Sequence, residues 1–120
     1  MLKTAFPAAI ALILPILLAW LGLSRALGAH PFWEVQTIAI GAPIGVALGF
    51  AMQWGGLNLK VRLITLVALL LGAMAVATYG KAEFVASYAD DRLAGQLWFF
   101  GWIAVGVFTS ATLFAVLRRK

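Results

Sequence analysis

Four long stretches of the chain carry no charged residue. They run from Thr4 to Ser24, Val35 to Leu59, Leu63 to Gly80 and Leu93 to Leu117, and a charge stands at both ends of each. They hold 21, 25, 18 and 25 residues. About 20 apolar residues in an α-helix cross the roughly 30 Å of hydrocarbon in a bilayer. No period-two alternation is present to build a closed barrel, and hydrocarbon tolerates no unpaired backbone, so the stretches read as helices. The pattern predicts an all-α fold: an integral membrane four-helix bundle forming one domain over residues 1–120. Its spans are expected at about 4–24, 35–55, 62–80 and 95–117, with an outer loop at 81–94. The third stretch is the shortest, about 27 Å at 1.5 Å per residue, so its helix must stand upright or continue past Gly80. The first stretch is longer than the apolar core of a usual signal peptide and reads as a span.

Composition supports a lipid solvent. Of 120 residues, 64% are hydrophobic and 11% charged. A soluble domain this small buries only about 60% of its unfolded surface and could not hide so much apolar side chain. The chain has no cysteine, which removes disulfides, thiolate metal sites and cysteine nucleophiles. Its one histidine, His30, removes any internal two-histidine metal or haem site. The net charge of +5 is scattered between apolar runs and forms no stripe for phosphates to follow, so no nucleic-acid partner is expected.

The basic residues set the orientation. Lys3, Lys60, Arg62, Arg118, Arg119 and Lys120 fall on one side of the four spans, and Arg25, Lys81 and Arg92 on the other. All four acids, Glu34, Glu83, Asp90 and Asp91, share the poorer side. The richer side is therefore expected to be cytoplasmic, with both termini there, in a multi-pass protein of the plasma (inner) membrane. Trp20, Trp33 and Trp98 then fall near the outer boundary and Trp54 near the inner one, where indole rings settle.

The clearest local motif is Gly41, Gly45 and Gly49 in the second span, with Pro43 inside the run. Glycines four apart share a helix face and let another helix come close, from this chain or from another membrane protein. Pro43 removes one backbone hydrogen bond and should bend that stretch. Ala68 with Gly72, and Gly106 with Ser110, repeat the small-residue spacing. His30, Trp33 and Glu34 gather at the outer entrance of the second span. A histidine near a carboxylate can contact a haem or chlorophyll, but these residues equally suit a helix start, with Pro31 first and Glu34 facing the positive dipole end. No cofactor is expected. Asp90 and Asp91 read as a helix cap, and Arg118, Arg119 and Lys120 as a partner for anionic lipid heads. Phe84, Val85, Tyr88 and Ala89 recur at three and four residues, which predicts a helical turn on the outer surface with Phe84 and Tyr88 facing lipid or protein.

The absences narrow the function further. No Asp, Glu, Lys, Arg or His lies within any of the four stretches, and the first holds no glutamate. Proton-coupled carriers keep such a residue in the membrane because it does the work. No nucleophile–base pair suggests an enzyme. The expectation is a small non-catalytic accessory or assembly subunit of a larger membrane complex, packing through the glycine-rich second helix against other integral membrane proteins and lipids. The alternative is a small oligomeric channel or carrier for a neutral or weakly polar solute. The topology is directly testable. Reporter domains fused after Gly28 or Asp91 should read as external, and those after Asn58 or Lys120 as cytoplasmic; a reversed or mixed pattern would reject the assignment.

Overall fold

A computed structural model describes residues 2–30 and 32–118. Pro31, expected at the start of the second span, and the terminal Arg119 and Lys120 lie outside the described residues. The described chain is helical: α1 Leu2–Trp20, α2 Leu23–Ala26, α3 Glu34–Trp54, α4 Leu59–Ala86 and α5 Arg92–Leu117. It measures 49 × 26 × 17 Å. By length and composition α3, α4 and α5 can each cross a membrane, while the apolar helix Thr4–Trp20 is shorter.

Two boundaries depart from the sequence pattern. The first apolar stretch does not form one helix to Ser24. Gly22, at φ +100°, breaks it after α1, and α2 follows as a single turn. A left-handed residue at that position suits glycine, which has no Cβ to clash. The third stretch continues past Gly80 as one helix of 28 residues, about 42 Å long. Lys81 and Glu83 are simply carried on the exposed side of its last turns. Phe84 and Val85 therefore belong to α4, not to a separate surface turn. Phe84 packs inward, with its ring 5.8 Å from that of Trp98, and Tyr88 is almost fully exposed. The reason is how α4 ends. The N–H of Ala89 reaches Phe84 O at 3.0 Å and that of Tyr88 reaches Val85 O at 3.1 Å, which closes the helix and turns the chain away. Tyr88 and Ala89 take positive φ there, at 56° and 67°.

The helix starts follow local chemistry. The Asn58 side chain accepts from Val61 N–H at 2.9 Å and opens α4. Asp91 accepts from Ala94 N–H at 3.0 Å and opens α5. Each satisfies an orphan donor of the first turn.

The helices pack around α5. α4 lies along one side of it and α3 along the other, and α1 crosses onto both α3 and α5. The Gly41, Gly45, Gly49 face of α3 is the seam with α5. A Cβ on Gly41 would meet Ile103 O and sit 2.9 Å from Val107 N. On Gly45 it would meet Val107 O, and on Gly49 it would lie 2.9 Å from Phe114 Cδ2. The contact is reciprocal: a Cβ on Gly106 would lie 3.4 Å from Gly41 Cα. The opposite seam works the same way. A Cβ on Gly80 would lie 2.6 Å from Trp98 N, and one on Gly101 2.9 Å from Ala77 Cα. Pro43 sits on the exposed side of α3, away from the seam, and α3 runs through it without a break.

Two clusters fill the interior. Towards the end that holds the α2–α3 connection, named the outer end after the expected orientation as the opposite end is named the inner, Ala19, Ala29, Ile38, Ala73, Ala77, Trp98, Trp102 and Val105 pack together. Towards the inner end, Leu66, Ala111 and Ala115 receive Leu48 and Met52. Ser110 is fully buried in the α3–α5 seam, and its hydroxyl has no hydrogen-bond partner among the described residues. An orphaned buried hydroxyl costs about 1–3 kcal/mol. Two substitutions in this seam should therefore have different effects on thermal stability in detergent. Gly45→Ala forces a methyl into Val107 O and should destabilise by about 1–3 kcal/mol. Ser110→Ala removes the orphan and should be neutral or stabilising. Equal stability of Gly45→Ala and the parent protein would refute the seam.

Candidate functional site

The aromatic cluster at the outer end, a buried arginine at the inner end and the open side of α4 are the first places to consider.

The outer cluster is built by the α2–α3 connection closing over α5. The N–H of Gly28 reaches Arg25 O at 3.1 Å and that of Ala29 reaches Ser24 O at 2.9 Å, with Gly28 at φ +121°. This turn delivers His30 onto the bundle end. The His30 ring stacks on Phe32 and Trp33, with centroids 5.2 and 5.4 Å away, and meets the edge of Trp98 at 5.2 Å. Trp33 in turn meets Trp98 and Phe99, both at 5.2 Å. Trp98 is buried, and its indole N–H donates to Gly28 O at 2.9 Å. It therefore ties α5 to the connection before α3 as a buried donor, and its ring is not open to lipid. Burial without a partner would strand its N–H, so the bond to Gly28 is what lets it sit inside.

Glu34 opens α3 beside this cluster. Its Oε2 lies 3.5 Å from Arg25 Nε, with the glutamate side chain 14% exposed and the arginine 59%. That separation is an ion pair without a hydrogen bond, and Oε2 has no hydrogen-bond donor among the described residues. The arginine is mostly in solvent, so the pair is worth no more than about 1 kcal/mol. Ser24 Oγ donates to Glu34 O at 3.2 Å, and Thr37 Oγ1 donates back to Trp33 O at 3.1 Å. Each of these bonds fixes the entry of α3.

This geometry defines what His30 can do. Its Nδ1 accepts from Phe32 N–H at 3.1 Å, so in the neutral ring the proton sits on Nε2. A metal at Nε2 would need that proton moved to Nδ1, which already faces a donor. As built, the ring offers no lone pair to a haem iron or a chlorophyll magnesium. Among the described residues no three of His, Asp and Glu stand close enough to hold a metal ion. The structure does bring His30, Trp33 and Glu34 together, but as a lock on the outer end. Comparison with known proteins adds no relative: no family model, no curated protein and no solved structure matches the chain.

The inner end holds a residue that the charge pattern treated only as an orientation signal. Arg62 is 1% exposed, the largest of the fully buried side chains. It lies on the first turn of α4, one turn before Leu66, which packs on Ala111 and Ala115 of α5. That places it level with the last turn of α5, where the free carbonyls and the negative dipole end favour a cation. The signal was available: Arg62 shares a face with Leu66, Ala73, Ala77 and Gly80, the buried positions of α4.

Among the described residues, Gln36, Thr65, Thr78 and Gln96 lie on the outside of the bundle, and the buried Thr37 is turned back onto its own helix. The third place is the outer side of α4. Ala68, Gly72 and Val76 are exposed there, beside an apolar groove of about 440 Å³ shared with Phe100 and Ala104 of α5. A Cβ on Gly72 would meet nothing within 4 Å, unlike those on Gly41, Gly45, Gly49, Gly80, Gly101 and Gly106.

The outer lock is testable through its long bond. Trp98→Phe keeps the ring but deletes the donor to Gly28 O, and should lower stability by about 0.5–1.5 kcal/mol. A cysteine placed at Ala29, now 4% exposed, should label faster in that background. Unchanged labelling would show that the bond does not hold the outer connection.

Proposed function

We propose that the chain crosses the inner membrane four times and serves as a small non-catalytic subunit of a larger membrane assembly. The four-span reading is supported by the way α1 and α2 share one height. Thr4, near the start of α1, bonds to Arg118 at the end of α5, and Ser24 of α2 bonds to Glu34 at the start of α3. Together the two helices run alongside the bundle from one end to the other.

The subunit reading rests on one observation: Gly72. Glycine in a helix interior weakens it by about 1 kcal/mol relative to alanine. The seam glycines repay this through close contact with α5. Gly72 repays nothing within this chain, because its open side has no neighbour. With Ala68 one turn away it forms a small-residue groove wide enough for another backbone to approach. The expected partner surface thus moves. α5 already occupies the glycine face of α3, so the seat for another membrane helix is on α4. Among the described residues, the outward placement of Gln36, Thr65, Thr78 and Gln96 favours this reading over a solute carrier.

The discriminating pair is Gly72→Leu against Gly45→Leu. Gly72→Leu should release co-purifying partners in mild detergent while the chain keeps its thermal stability. Gly45→Leu should destabilise the chain itself. Photo-crosslinkers at Leu71 or Val76, both exposed, should give a discrete protein adduct. Adducts with lipid alone, together with full partner retention in Gly72→Leu, would reject the subunit reading.

A further inference from the structure

The inner end of the molecule carries a second feature that the packing does not use. Where α1 begins and α3 and α5 end, a cleft of about 360 Å³ is lined by Thr4, Phe50, Gln53, Trp54 and Arg118. Arg118 Nε donates to Thr4 Oγ1 at 3.2 Å, which ties the guanidinium to one wall. That bond takes one of five N–H donors. Trp54 is 83% exposed at the rim and carries an indole N–H. Phe50, with its ring 6.1 Å from that of Trp54 and 6.3 Å from that of Phe114, gives the wall an apolar face.

We infer that this cleft binds the phosphate of an anionic phospholipid. The guanidinium fork matches two phosphate oxygens, as a bidentate charge-assisted pair. The glycerol backbone then lies at the level of the indole, and the acyl chains run along Phe50. Charge favours an anionic lipid over a zwitterionic one. By sequence this end of the bundle carries Lys3, Lys60, Arg62, Arg118, Arg119 and Lys120, with no Asp or Glu to receive a headgroup ammonium. At the cleft itself the α1 N-terminus favours an anion and the α3 and α5 C-termini disfavour it, so the guanidinium carries the attraction. The inference needs the helices to lie in a bilayer, and is independent of any partner on α4 and of which leaflet the end faces.

The test is native mass spectrometry of the full chain in detergent, with phosphatidylglycerol or phosphatidylcholine added. The parent protein should retain one phosphatidylglycerol in roughly tenfold preference. Arg118→Gln should abolish the preference. Lys60→Gln removes the same charge from the same end but outside the cleft, and should keep it. Thr4→Val and Arg118→Lys preserve the charge but loosen or replace the fork, and each should lower retention about threefold. These two decide the matter if circular dichroism shows that Arg118→Gln does not fold. The site is overturned if Arg118→Gln retains the lipid as the parent does, if Lys60→Gln loses as much as Arg118→Gln, or if Thr4→Val and Arg118→Lys both leave retention unchanged. Inorganic phosphate alone at millimolar concentration should neither bind nor displace the lipid. If it does either, and Arg118→Gln abolishes the effect, the cleft takes a free anion and the lipid assignment falls.

Discussion

In hydrocarbon, helices gain little by hiding apolar side chains from one another, because lipid tails are equally apolar. Association then depends on close van der Waals approach. This chain meets that constraint by surrounding one helix with small residues. α5 is approached through Gly41, Gly45 and Gly49 of α3 on one side and through Ala77 and Gly80 of α4 on the other. Backbone touches backbone at both seams. The consequence reaches the rest of the molecule: α5 becomes the most buried of the three long helices, and its Ser110 hydroxyl is sealed away. Chemistry is pushed to the ends of the bundle and to the flank that no seam covers.

How far this was legible in the sequence differs by feature. The uncharged stretches located three helices that can cross a membrane, and Asn58 and Asp91 sit where caps belong. The four-residue glycine spacing marked a packing face, but spacing cannot say what packs on it; that needed α5 in place. Charge was a poor guide to helix ends. Lys81 and Glu83 lie on α4's exposed side, so the helix runs through them. An apolar run also hid a break at Gly22, because hydropathy is blind to φ. For Trp98 the pattern left open what the ring faces. An indole near a membrane edge fits the boundary equally well as a lipid-facing anchor or as a buried donor, and only the carbonyl of Gly28, 70 residues away in sequence, decides between them.

Arg62 and Arg118 show how one residue type acquires two roles at the same end. Both read as orientation charges. Arg62 sits on the buried face of α4 and is enclosed by the bundle. Arg118 follows the last residue of α5 and lines an open cleft, tethered through Nε. An enclosed guanidinium can only hold helices together, whereas a tethered one beside open space can meet a ligand. Position on the helix face, more than charge, separates them.

The same reasoning gives Gly72 its weight. An uncovered apolar flank on a membrane helix is unremarkable, since lipid solvates it without penalty. Leucine or alanine would serve there and would strengthen the helix. Glycine is the one choice that weakens α4 while giving nothing to lipid, whose flexible tails fill any groove. A rigid helix cannot deform in that way and gains from the missing side chain. The neighbouring seams show the rule at work, since the other mid-span glycines of the described chain meet a helix within van der Waals distance. On the proposed reading Gly72 obeys that rule as well, with the second helix supplied by another polypeptide.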